Sequence, residues 1–171
     1  GVQEMNQYSS VLVSAIALTV VLGISGCAGY APSNEFIGLS RSEALALLGQ
    51  PTPAPDNMAT ARRLDFPRGP FGKHTYSLYF DEKGTVTGFK QLLNDENFAK
   101  IVPGMDESEV VNLIGVSKDR VDLAPERGYV WNYRYETPLC RWFQVEFTPE
   151  NKVRSAGYSI PQECRVGTRA I

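Results

Sequence analysis

Few residues in this chain of 171 have the type and spacing to do chemistry. There are three cysteines (Cys27, Cys140 and Cys164) and one histidine, His74. No pair of cysteines forms a C-x-x-C, so a redox centre is a poor reading. A single histidine without cysteine or carboxylate companions at ligand spacing supplies no metal site. It also lacks a serine placed to make it the base of a nucleophile pair. Gly69-Pro70-Phe71-Gly72-Lys73-His74 has the look of a phosphate loop, but the spacing is too short and no Ser or Thr follows Lys73. Pro70 also removes a backbone donor that such a loop needs. Asp106, Glu107 and Glu109 could be paired acids, but at the opening of a helix they serve its dipole. The expectation is therefore a protein with no catalytic residue, no metal, no cofactor and no small-molecule substrate.

The elements that would position these residues occur twice. Gly104-Met105-Asp106-Glu107-Ser108-Glu109-Val110-Val111-Asn112-Leu113-Ile114-Gly115 aligns without a gap on Gly38-Leu39-Ser40-Arg41-Ser42-Glu43-Ala44-Leu45-Ala46-Leu47-Leu48-Gly49. Each copy opens on an N-cap (Ser40, Asp106) with a Glu three positions later, the pattern of a capping box. Each carries a short apolar stripe and ends in a Gly able to stop a helix. Two turns of helix do not hold alone in water, so both must dock on something.

That something is strands. Arg62–Phe66, Thr75–Phe80 and Thr85–Phe89 alternate, with Leu64, Phe66, Tyr76, Leu78 and Phe80 inward and Ser77 and Tyr79 outward. A Pro-rich loop, Pro51 to Asp56, separates them from the first helix. The second half has a short helix, Asn94–Ile101, before the capped one. Its strands return at an offset of 67 residues: Tyr129, Trp131, Tyr133 and Tyr135 line one face, and Phe143, Val145 and Phe147 take the places of Tyr76, Leu78 and Phe80. The turn Asp81-Glu82-Lys83-Gly84 becomes Thr148-Pro149-Glu150-Asn151, and Asn tolerates the left-handed conformation next best after Gly. The expected architecture is α+β: two tandem units, each of short helices packed on a three-stranded antiparallel sheet.

Composition is that of an ordinary globular protein, 43% hydrophobic and 21% charged with a net charge of −2. Nothing in the balance favours nucleic acid. Val11 to Ile24 is nearly all apolar, too short to span a bilayer but suited to the core of a signal peptide. Its ending, Ile24-Ser25-Gly26-Cys27, resembles a bacterial lipobox. That resemblance implies diacylation of Cys27 and attachment to the membrane through the lipid anchor. Ala28 in the next position, rather than Asp, points by the bacterial sorting rule to the periplasmic face of the outer membrane. In an exported protein Cys140 and Cys164 are expected to pair. The bridge closes a loop of about 25 residues, worth roughly 3 kcal/mol. The resulting division is 1–26 signal peptide, 27–35 lipidated cysteine and tether, 36–93 first unit, 94–164 second unit and 165–171 tail.

Phe98-Ala99-Lys100-Ile101-Val102-Pro103-Gly104-Met105, running on through the capped helix to Gly115 and three strands, resembles the BamE (SmpA/OmlA) family of small outer-membrane lipoproteins. Leu48-Gly49-Gln50-Pro51 is similar to that family's helix exit. The resemblance implies a non-catalytic lipoprotein that binds another envelope protein, either a β-barrel or its assembly complex. The sequence has two units where the assembly factor has one, and no Pro follows Gly115. A tandem pair of such units is also similar in architecture to the β-lactamase inhibitor protein, whose joined sheets bind an enzyme. The alternative function is therefore inhibition of a periplasmic enzyme. With Phe143, Val145 and Phe147 beneath the helices, Trp142, Arg134, Asn132, Gln144 and Arg154 point the other way and are the candidate partner-binding residues. The competing reading of Trp142 is that it stacks on Arg134 within its own unit.

Overall fold

The computed structural model describes residues 30–53 and 56–165. The expected signal peptide and Cys27 lie outside the described residues, as does the tail beyond Arg165. Local chemistry sets the two main helices. α1 (Arg41–Leu48) and α3 (Glu107–Ile114) each have a complete capping box, with Ser40 and Glu43 in one and Asp106 and Glu109 in the other. Between them lies α2 (Asp95–Phe98), capped by Asn94, whose side chain accepts the Asn97 N–H at 2.9 Å.

The strands build two separate antiparallel sheets. β1 (Arg63–Pro67), β2 (Thr75–Phe80) and β3 (Val86–Gln91) form the first. The second contains four strands rather than the expected three: β4 (Arg120–Asp122), β5 (Tyr129–Tyr133), β6 (Trp142–Phe147) and β7 (Val153–Ser159), in that order. The extra edge strand escaped notice because every residue of it is exposed, so it has no apolar alternation to betray it. A final turn of helix, α4 (Gln162–Arg165), follows β7.

The ladders share their register at the 67-residue offset. Leu64 faces Leu78 and Trp131 faces Val145; Phe66 faces Tyr76 and Tyr133 faces Phe143. Each β2–β3 or β6–β7 ladder slips at the same point, before Phe80 and before Phe147. Asn151 is the one non-glycine with positive φ (60°) among the described residues, and it stands where the first unit has Gly84. Each sheet covers its own core. α1 lays Ala44 and Leu48 against Leu64, Phe66, Leu78 and Phe80. α2 and α3 lay Phe98, Val110 and Ile114 against Trp131, Tyr133, Phe143, Val145 and Phe147.

The outer face of the first sheet differs from expectation. Ser77 does point away from that sheet's own core, yet it is fully buried, and Thr75 and Asp65 are buried beside it. The end of α3 covers them. Arg63 makes a forked pair with Asp65, Nε to Oδ1 at 2.7 Å and Nη2 to Oδ2 at 2.8 Å, and Nε also reaches Ser77 Oγ at 3.1 Å. Ser77 donates a short hydrogen bond to the same carboxylate. The outer guanidinium nitrogens donate to the last carbonyls of α3, Asn112 O at 2.9 Å and Val111 O at 3.3 Å. A cation there meets the negative end of the helix dipole as well as the orphan carbonyl of Asn112, while Val111 O also accepts the Gly115 N–H. Gly115, with φ of 75°, closes the approach: a Cβ there would lie 2.7 Å from the Thr75 methyl.

Arg63→Leu is expected to cost about 3 kcal/mol or more, because it strands a buried carboxylate and uncaps α3. Arg63→Leu with Asp65→Leu recovers part of that loss, measured by urea unfolding. A single-variant cost below about 1 kcal/mol would mean that the fork behaves as a surface ion pair.

Candidate functional site

The positions of the Arg63 seat recur in the second sheet with different chemistry. By the 67-residue offset Val130 stands for Arg63, Asn132 for Asp65 and Gln144 for Ser77. An amide pair replaces the charged fork: Gln144 Nε2 donates to Asn132 Oδ1 at 2.6 Å, and Asn132 Nδ2 donates to Asp119 Oδ1 at 3.2 Å. No element of the described chain caps this face as α3 caps the first. In its place is an open hollow of about 250 Å³ lined by Val130, Gln144, Glu146, Ser155, Ala156, Gly157 and Tyr158. Val121 on β4 pairs with Val130 and is 47% exposed, so an apolar strip borders the hollow. On its other side Arg154 Nη1 donates to Glu146 Oε1 at 2.8 Å. Tyr158 donates to Asp95 at 2.7 Å; burial first, then that carboxylate, pushes its phenol up to about 12, so it stays a hydrogen-bond donor.

The five candidate residues therefore divide. Gln144 lines the hollow, and Arg154 reaches its border through Glu146. Asn132 is 9% exposed and spent on Asp119 and Gln144, so it holds β4's approach to β5 and offers little to a partner. Trp142 and Arg134 sit at the opposite end of the strands and satisfy each other. The Arg134 guanidinium lies 4.7 Å from the Trp142 ring and 5.7 Å from Phe71 of the first unit, and its Nη2 donates to Glu163 at 2.7 Å. Cys140 and Cys164 form a disulfide with Cα atoms 5.7 Å apart. It holds α4, and with it Glu163, beside Arg134. A second hollow of about 270 Å³ opens here, lined among others by Lys73, Arg134, Arg141, Trp142 and the disulfide.

Sequence reasoning missed Arg63, Val121, Val130 and Tyr30. Tyr30 falls in the expected tether, yet its carbonyl accepts from Arg68 Nε at 2.7 Å and its hydroxyl accepts the Lys73 N–H at 3.1 Å. The hydroxyl also shares a 3.1 Å hydrogen bond with His74 Nδ1, and His74 stacks on Tyr76. The described end of the tether is therefore packed on the domain, with Pro32 buried. Among the described residues no group of three His, Cys, Asp or Glu is placed to hold a metal. No helix among them is long and apolar enough to cross a membrane.

The class these observations define is an α+β protein with two antiparallel sheets, of three and four strands, and few helices. Comparison with solved structures finds similarity to a chain described as osmotically inducible lipoprotein OsmE. The two are 22% identical, the match covers 44% of this chain and 82% of that one, and the TM-score is 0.35. A likeness of that size decides nothing about function. No family model matches the chain, and no curated protein matches it.

His74 is the chain's one histidine, and its pKa lies below the ordinary 6.5, mainly through burial; Glu136 opposes the shift and Lys73 adds to it. A base that holds its proton less tightly when folded stabilises the fold only while neutral. The stabilisation is full above 6.5 and is lost as pH falls from there through the depressed folded value. Melting temperature is expected to drop across that window, and His74→Gln to flatten the drop, by circular dichroism. An unchanged slope in the variant would mean that His74 titrates alike in both states.

Proposed function

We propose that the chain is a non-catalytic envelope lipoprotein, anchored through Cys27 at the periplasmic face of the outer membrane, that binds another envelope protein. The observation that carries the binding role is the contrast between the two sheets. The first sheet's outer face is closed by a helix end, while the same face of the second is open and edged by Val121 and Val130. The Arg63 seat illustrates what such a face accommodates: a helix terminus entering over the middle of the sheet. At the second seat the cation is absent and valine replaces it, so an apolar segment suits it better than bare carbonyls. Glu146 and Arg154 on one border supply orientation rather than affinity, since exposed pairs contribute little. The lipobox-like ending at Cys27 supports the anchor. The BamE resemblance of residues 98–115 supports a β-barrel or its assembly complex as the partner.

The alternative, inhibition of a periplasmic enzyme, required joined sheets. The two sheets are not hydrogen-bonded to each other, and no other observation favours it.

A photo-crosslinking residue at 144 in growing cells is expected to capture an outer-membrane barrel or assembly component, identified by mass spectrometry, and one at 79 on the first sheet is not. A soluble periplasmic hydrolase at 144 would replace this reading with the inhibitor one. Equal capture from both positions would remove the significance of the open face.

A further inference from the structure

Three segments far apart in sequence meet at the end of the molecule where the chain enters it: residues 30–32, the loop from Arg68 to His74, and the loop from Arg134 to Arg141. We propose that this end rests on the phospholipid surface, with the Phe71 ring inserted among the headgroups. The proposal rests on the reading that Cys27 is acylated, and it adds an orientation that acylation alone does not require.

The tether supplies the constraint. Only three residues' travel separates Cys27 from Tyr30, about 10 Å at full extension. Tyr30 is not free to swing, because Arg68, Lys73 and His74 all bond to it. The Arg68–His74 loop is thus bonded to a residue that lies no more than about 10 Å from the acylated one. A long tether would leave the domain free to tumble; this one does not.

The loop that is held there has the shape and chemistry for the surface. Two backbone bonds close it on itself: Arg68 N–H to His74 O and Gly72 N–H to Arg68 O, both 2.9 Å. A Cβ at Gly72 would lie 2.3 Å from the Arg68 carbonyl, so the turn depends on glycine. At its tip Phe71 is 81% exposed, more than any other large hydrophobic residue described. Leu139, 57% exposed, lies on the neighbouring loop, which Lys73 reaches through Glu136 at 3.6 Å. Arg68, Lys73, Arg134 and Arg141 exceed by one the carboxylates that pair with them, Glu136, Glu163 and Asp95. Aromatic rings and cations presented together suit the boundary between water and acidic headgroups.

The test uses the full mature chain, purified with its acyl groups and reconstituted into vesicles of phosphatidylcholine and phosphatidylserine, with and without brominated acyl chains. In Phe71→Trp the added indole reports the loop over the constant background of Trp131 and Trp142. Brominated chains are expected to remove about half or more of the added emission, since interfacial insertion reaches the acyl boundary, and aqueous iodide is expected to have little effect. Iodide quenching without bromine quenching, on protein whose mass shows a diacylated Cys27, overturns the surface contact and leaves the anchor standing. An unmodified Cys27 in that mass overturns the anchor and this inference with it. Phe71→Ser is the control: at an exposed tip it leaves the melting temperature unchanged, while a large drop would reassign Phe71 to packing and overturn the proposal.

Discussion

The structure depends on the seating of one guanidinium. Arg63 serves two parts of the chain at once, neutralising Asp65 on its own strand and donating to the carbonyl end of α3 about fifty residues further on. Each task alone would be marginal. A buried Arg–Asp pair loses much of its Coulomb gain to desolvation, and a helix end can find water for its carbonyls. Combined, they satisfy each other: the fork supplies Asp65 with two bonds, Ser77 with one and α3 with two. The seat is polar, with Asp65 and Ser77 buried beneath a guanidinium that still reaches solvent. It therefore specifies one docking of the second unit on the first, where an apolar face would accept many.

Comparing the two sheets shows what holds the fold and what distinguishes the faces. Inward positions keep their character: Leu64 and Trp131, Leu78 and Val145, Phe80 and Phe147 each face a helix. The slip before Phe80 recurs before Phe147, so the twist that wraps each sheet onto its helix arises in the same way. Outward positions diverge. Where the first sheet carries a charged fork that needs a lid, the second carries an amide pair that satisfies itself. The second face can therefore stay open without leaving an unpaired charge, whereas the first could not.

α1 and α3 were legible to the residue because a capping box is written in four consecutive positions; α2 stops at Phe98, short of the expected Ile101, and α4 carries no such signal. β2 and β6 were legible from alternation alone. What escaped was whatever depends on distant chain. Ser77 reads as a solvated residue in any local window; only α3 buries it. Arg63 looks like a solvent-facing charge for the same reason. β4 has no inward residue to read, and Tyr30 stands among Gly, Pro and Ser, whose composition says tether. Of the candidate partner residues, Gln144 was placed on the face away from the helices by the period of two, and there it lines the open hollow. The same period could not tell that Asn132 would be occupied by Asp119, which comes from outside the strand; the stacking of Trp142 on Arg134 is the competing reading that the sequence already offered.

The distances along β5 and β6 relate the two surfaces. Arg134 and Trp142 stand at one end of these strands, beside Phe71 and the entering chain; Val130 and Glu146 stand at the other. Gln144 lines the open hollow two residues along β6 from Trp142, and a strand rises about 3.4 Å per residue, so the open face begins about 7 Å from the end where Phe71 stands. The disulfide and the Arg134–Glu163 pair brace the near end and tie α4 to it. The Arg63 seat braces the first unit, which carries the entering chain, against the second, which carries the open face. A rigid joint there has a mechanical consequence. The height and tilt of the open face are set by the tether at Tyr30 and the fork at Arg63, two small groups of hydrogen bonds, and loosening either one would let the face turn without altering a residue on it.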